Sequence, residues 1–350
     1  MTALSPKTIW AKRLSRTVAR DVTRGSRVTS GHGWSGSEWL ANYLLASEVW
    51  KNTLGRYVDP VDNFYRAGGT ADQVASLLDE WNQVLPAPIS RQQFDADPTL
   101  IDTLRRSGGG RCGEVVALRP EGTRPPLFLI AGSGGVGLQF AALTKELDSA
   151  IPVVAIQSRS AQRRRLPEYS LRAQARRAAT LIDAIAPTGE LAVGGHSFGG
   201  LVALGAALEL TRRGRRVRDL VIIDTRPEGR FARQIVGIPT SKHPLHLPRP
   251  VIPTLLAAGV AGFVRPRGGR LYQAQYLLGQ VRRVVVAPLP PFDGTTHLVL
   301  TRHDPEYIEE GWRRRGAPLN VIPVGGSHNS CLRPPHVEFM AARLNELLGE

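Results

Sequence analysis

The chain has 350 residues, 42% of them apolar, with two cysteines and a formal net charge of +15. That length admits two domains, and the apolar content excludes general disorder. No apolar run reaches the ~18 residues that a bilayer span needs, and Cys112 and Cys331 form no C-x-x-C pair that would mark a disulfide framework or a zinc site.

Only Lys7, Lys12, Lys51, Lys145 and Lys242 are lysines, so the excess positive charge is carried by arginine. No zinc finger, base-reading basic helix or aromatic RNA-binding stripe accompanies it, so nucleic acid is not expected as a partner. Steering of an acidic protein partner is the better use of such a field. The first thirty residues are basic and lack an apolar signal core, which gives the expectation of a cytoplasmic protein with no membrane partner.

Residues 1–36 hold seven basic side chains from Lys7 to Arg27 against one acid, Asp21. Ile9, Trp10, Leu14 and Val18 could line a helical face, but the segment runs into "TSGHGWSG", and a flexible basic tail is expected. From Ser37 the pattern turns helical. Leu40, Tyr43, Leu44, Trp50 and Leu54 fall near helical spacing, and Gly55 suits a C-terminal stop. Val74, Leu77, Leu78 and Trp81 then repeat at i, i+3, i+4, i+7, with Thr70 and Gln73 as a capping box. "FDADPTLIDTLRR" predicts a last short helix entered at Pro98. These make a small all-helical unit over 37–105, followed by a glycine-rich linker, "RSGGGRCG", over 106–113.

Beyond the linker the period changes. "EVVAL", "PLFLI", "PVVAI", "LAVGG", "LVIID", "HLVLT" and "NVIPV" are apolar runs of strand length, several without a polar face. Helical stretches separate them at Leu138–Leu147, Ser170–Ile185, Gly199–Arg213, Glu306–Arg315 and Pro335–Leu348. Strands of this kind alternating with helices predict an α/β fold over 114–350, a mostly parallel sheet covered on both faces.

Gly195-His196-Ser197-Phe198-Gly199 follows one of these strands and opens a helix, the context that makes a G-x-S-x-G motif a nucleophile elbow. The turn is so sharp that Ser197 is expected in strained backbone space, and side chains at 195 and 199 would collide with neighbouring strands. A serine nucleophile needs a base and an orienting acid. Of the histidines downstream, His243, His246, His297, His303, His328 and His336, only His328 follows the last strand, in the turn "VGGSHNS". Gly325 and Gly326 would let the backbone aim its ring at Ser197. Two acids end suitable strands: Asp224 after "LVIID" and Asp304 just after "HLVLT". A generic α/β-hydrolase places the acid at the latter.

Acyl transfer also needs donors for an oxyanion. The backbone N–H of Phe198 is one candidate and that of Ser133, in "LIAGSGGVG", the other. No Walker lysine follows that glycine-rich loop, so a nucleotide is not expected there. Between Asp224 and "HLVLT" lie roughly seventy residues, far beyond a typical loop. "VIPTLLAAGVAGFV" and "LYQAQYLLGQVRRVV" read as helices inside this insertion, which makes 227–292 a candidate lid. Its many arginines suit either a solvated surface or a landing site for an acidic partner.

With "GEVVALRPEGTRPPLFLIAGSGG", "GGHSFGGLVALGAALEL", "RVRDLVIIDTRPEG" and "VIPVGGSHNSCL", residues 114–348 resemble the thioesterase domain of nonribosomal peptide and polyketide synthases. The resemblance implies an α/β-hydrolase fold with a helical lid. It also implies a triad of Ser197, Asp224 and His328, because in that family the acid usually ends the strand after the serine helix. "EVWKNTLGR", "VDNFYRAGGT" and "FDADPTL" resemble the carrier domain that precedes such thioesterases. Carriers bear phosphopantetheine on a serine after Gly-Gly-Xaa, whereas here Gly68-Gly69-Thr70 is followed by Ala71. The resemblance thus implies a carrier-like unit without the attachment serine, no bound cofactor or metal, and phosphopantetheine only on a partner: an acyl or peptidyl carrier protein, or a synthase module. The implied activity is release of an acyl or peptidyl chain, or its transfer or cyclisation. A docking or scaffold role is the alternative for the carrier-like unit.

Overall fold

The computed structural model describes residues 46–47, 49–56, 58, 62–84, 87–107, 114–132, 136–157, 170–227, 289–301, 305–314 and 318–349. The basic segment 1–36, most of the linker, 228–288 of the insertion, Ser133 and Asp304 lie outside the described residues.

In the helical unit, residues 49–54 are helical and α1 spans Gln73–Val84. The predicted capping box is formed: Thr70 N donates to Gln73 Oε1 at 2.9 Å, and Gln73 N donates to Thr70 Oγ1 at 3.4 Å. A short helix that was not predicted, α2, Arg91–Ala96, comes next, opened by a second capping box of Ser90 with Gln93. The predicted last helix follows as α3, Leu100–Arg106, just after Pro98. The break has a physical cause. Pro98 disfavours helical backbone at Asp97, whose φ and ψ are −157° and 86°, and Thr99 then caps α3 by accepting from Asp102 N. Trp50, Phe64, Trp81 and Phe94 are fully buried between these elements. They meet edge to face, with ring centroids 5.3 Å apart for Trp50–Phe64 and 5.5 Å for Phe64–Phe94.

All seven apolar runs are strands: β1 Val115–Arg119, β2 Leu127–Ile130, β3 Val153–Ile156, β4 Leu191–His196, β5 Val217–Ile223, β6 Thr295–Leu300 and β7 Leu319–Pro323. They form one sheet in the order β1-β3-β2-β4-β5-β6-β7, in which β1 runs antiparallel to β3 and every other pairing is parallel. The helices are α4 Ala141–Glu146, α5 Leu171–Ile185, α6 Phe198–Arg212, α7 Pro305–Arg313 and α8 His336–Gly349. Alternation along β2 shows why the runs carry no polar face. Leu127 and Leu129 join one apolar cluster with α4 and α8, while Phe128 and Ile130 join the other with α5, α6 and α7. Among the described residues no helix is long and apolar enough to cross a membrane.

Parallel strands put their C-terminal ends along one edge, where sites form in open α/β sheets. Gly132, Ser197, Asp224, Thr301 and His328 all lie in the segments that leave that edge. Nearer the opposite ends of β5 and β6, Asp219 Oδ1 lies 2.9 Å from His297 Nε2, and Asp219 Oδ2 accepts from Arg218 Nε at 2.6 Å. Burial alone would raise the Asp219 carboxyl, but its hydrogen bonds with His297 and Arg218 and their charges hold it below its ordinary value. A depressed folded-state value adds stability that is complete above the unfolded carboxylate's pKa of about 3.9 and is lost as pH falls through the folded one. Asp219→Asn is therefore expected to lower the melting temperature near neutral pH. The gap from the parent should close as the solution is taken well below pH 4 (roughly the ordinary carboxylate value). Melting curves across pH 2–7 check this, and a gap that widens in acid would contradict it.

Candidate active site

β4 ends at His196 and α6 begins at Phe198, which leaves Ser197 alone to make the turn. Its φ of 58° lies in the region that ordinary side chains avoid. The turn is held by Ser197 N donating to the Ile223 carbonyl at 2.9 Å. A side chain at Gly199 would strike the Ile130 carbonyl and Ala131, at the end of the neighbouring strand β2, as expected. At Gly195 the obstacle is different from the one predicted: a Cβ there would meet the carbonyl of Gly199, the start of its own helix, because the chain doubles back so tightly.

Ser197 Oγ lies 2.9 Å from His328 Nε2, and His328 Nδ1 lies 2.5 Å from Asp224 Oδ2. A carboxylate can only accept, so Nδ1 carries the hydrogen and Nε2 presents its lone pair to the serine hydroxyl. The second carboxylate oxygen of Asp224 is also occupied. It accepts from Thr301 Oγ1 at 2.8 Å and from Thr301 N at 3.2 Å. Burial pushes the Asp224 carboxyl up, but the hydrogen bond and charge of His328 and the two bonds from Thr301 outweigh it, and the net shift is downward. Asp224 has φ 41° and is fixed on both sides: its N–H donates to Val299 O at 2.8 Å, and the carbonyl of Thr225 accepts from Trp312 Nε1 at 2.8 Å. The structure thus brings together Ser197, His328 and Asp224. Thr301 was not anticipated from the sequence.

The loop after β2 runs directly against the serine turn. A Cβ on Gly132 would stand 3.0 Å from the His196 carbonyl and 3.2 Å from Ser197 Cβ. Beyond the undescribed 133–135, the chain is pinned again where Gly137 N donates to the buried Gln157 side chain at 2.7 Å. Phe198 is the first residue of α6, where a backbone N–H has no acceptor within the helix.

His328 is presented by a loop in which Ser327 N donates to Ser330 Oγ at 2.8 Å. Gly325 and Gly326 serve a purpose beyond the one predicted. A Cβ on either would collide with the His336 ring at the start of α8, and Gly326 has φ 85°. Of the other histidines, His297 is buried against Asp219 and His336 packs under the glycines, while His243, His246 and His303 lie outside the described residues. Among the described residues no cluster of three or more His, Cys, Asp or Glu could hold a metal ion.

A further histidine reaches the site. His196, assigned no role from the sequence beyond its place in the G-x-S-x-G motif, stacks on His328 with ring centroids 4.7 Å apart and 30° between planes. Its Nε2 lies 2.9 Å from the His328 carbonyl, which can only accept, so this nitrogen is the donor. Burial, followed by the like charge of His328, pushes His196 down to about 3, so the ring is neutral near pH 7.

Residues 125–247 match the family model of the thioesterase domain. Chondramide synthase cmdD of Chondromyces crocatus is 27% identical over 354 residues, covering 86% of this chain and 9% of the synthase. The chain therefore spans only a small part of that relative. A crystal structure of the NocB thioesterase domain in covalent complex with a fluorophosphonate nocardicin G analog is 25% identical. It matches 67% of this chain and 100% of its own, with a TM-score of 0.50. A four-domain nonribosomal peptide synthetase, holo-AB3403, shares the fold over 91% of this chain and 27% of its own, with a TM-score of 0.53 and 20% identity.

Proposed function

We propose that this chain, which carries a thioesterase domain with an α/β-hydrolase fold, releases an acyl or peptidyl group from a carrier protein through an ester on Ser197. One observation carries the reading: the His328 ring stands between Ser197 Oγ at 2.9 Å and the Asp224 carboxylate at 2.5 Å. As Oγ attacks the thioester carbonyl, its proton passes to His328 Nε2, and Asp224 steadies the resulting imidazolium. The carbonyl oxygen becomes an oxyanion that the Phe198 N–H at the start of α6 can receive, with Ser133 N–H as the proposed second donor. When the C–S bond breaks, His328 returns the proton to the departing thiolate. Water, deprotonated by the same His328, then attacks the Ser197 ester; the acyl C–Oγ bond breaks, His328 returns the proton to Ser197 Oγ, and the acid leaves.

The same acyl-enzyme serves cyclisation or transfer to an amine or hydroxyl, which differ only in the second nucleophile, and editing, which uses water on a different acyl group. Phosphopantetheine enters on the partner carrier, bound to the leaving sulfur. Incubation with a fluorophosphonate tests the reading. A single adduct on the peptide containing Ser197, formed far more slowly when His328 is replaced, is the expected outcome, and an adduct on another serine would refute it.

The helical unit favours a docking role over carrier chemistry. Ala71 is exposed just ahead of α1, but it has no hydroxyl, and its carbonyl accepts from Arg91 at 3.1 Å. Thr70 is committed to the helix cap. Incubation with coenzyme A and a broad-specificity phosphopantetheinyl transferase is therefore expected to add no mass. Ala71→Ser should accept the group if the surrounding surface has been kept. Modification of the unaltered chain at Thr70, or at Ser76 within α1, would contradict the assignment.

A further inference from the structure

Hydrogen bonds to Asp224 and to Ser197 hold the His328 ring by its two nitrogens. They fix the two nitrogens but leave the ring plane free to tilt about the line joining them, and they do not fix the backbone that carries the ring. The loop's own hydrogen bonds close on Ser327, whose N–H donates to Ser330 Oγ and whose carbonyl accepts from Ser330 N and Cys331 N. They do not touch the His328 ring, which is 39% exposed. The ring face and the His328 carbonyl are held by His196. Its ring lies face to face against that of His328, and its Nε2–H holds the carbonyl of the same residue. The Cys331 thiol adds a weak second donor to that carbonyl at 3.6 Å.

We infer that His196 is a positioning residue for the base, fixing the backbone and the ring plane of His328 relative to the Ser197 turn. The inference rests on the triad reading above. His196 precedes the nucleophile directly, so one side chain ties the serine turn to a loop 132 residues away in sequence. Its neutrality suits the task. The charged or chargeable groups around it are His328, Asp224 and Arg333. When His328 takes the serine proton, a neutral ring face beside it attracts the new cation, whereas a second imidazolium would repel it.

Two substitutions separate the two contacts: His196→Phe keeps a ring and removes the donor, and His196→Gln keeps a donor and removes the ring. Each is expected to lower kcat for a soluble acyl thioester about tenfold, the scale of one hydrogen bond, while KM stays within about twofold. The deciding measurement is a double-mutant cycle with His328→Ala, read as the rate of fluorophosphonate adduct formation. Once the base is gone there is nothing to position, so neither His196 substitution should slow the residual reaction further. Wild-type kcat in both variants would overturn the inference. So would an equal fold-loss with and without His328, which marks a general packing role. A His328→Ala protein that labels as fast as the parent would instead refute the triad.

Discussion

Ser197→Ala is expected to abolish the acyl-enzyme and to lower turnover of a thioester on the order of 10⁶-fold, the loss seen when a triad serine is removed from a template hydrolase. The hydroxyl is the only atom lost, and alanine meets the same backbone restriction at φ 58° that serine does, so the fold should be unaffected. The residual rate should still exceed the uncatalysed reaction, since the oxyanion donors and substrate binding remain. Steady-state kinetics beside a melting curve checks both halves. Unchanged turnover with an unchanged melting temperature would remove Ser197 from the reaction.

The second large effect is expected at the acid. Asp224→Asn keeps the shape of the side chain and can still accept from Thr301. An amide NH₂ facing His328 is a donor, however, and it forces the hydrogen from Nδ1 to Nε2, where the base needs its lone pair. The expected cost is on the order of 10⁴-fold in kcat. Asp304→Asn should cost far less, because the described geometry already satisfies His328 through Asp224. If the two losses are reversed, the acid stands after β6 and the assignment to β5 is wrong. Asp224 has one further property that bears on this test. Its depressed carboxyl stays ionised well into acid, so a fall in activity between pH 7 and 5 would reflect another group.

The sheet was legible because strands buried on both faces leave unbroken apolar runs, and each of the seven runs became a strand. The elbow was legible for a similar reason: Gly195 and Gly199 stand where any side chain would collide, so the motif records a steric demand. What the residues alone left open is non-local. Asp224 and Asp304 both end or follow strands, and the choice of Asp224 came from the family resemblance; in the fold, the path of the loop after β7 brings His328 to that carboxylate. Thr301 looked like the end of an apolar run, since nothing along the chain marks it as a donor to an aspartate 77 positions earlier. His196 was hidden inside the motif itself, at a position the turn leaves free, and its partner is still further away in sequence. The short helix α2 was missed because its six residues bury a single apolar side chain, Phe94, too little to show a period.

The central claim is that the chain passes from sulfur to Ser197 before release. It is tested most directly by quenching the protein within its first turnover on an acyl thioester and mapping the acyl mass by peptide mass spectrometry. The account predicts the acyl group on the peptide that contains Ser197, forming before free acid and absent in Ser197→Ala. Steady release of product with no acyl mass on that peptide, or with the mass on another residue, would contradict it.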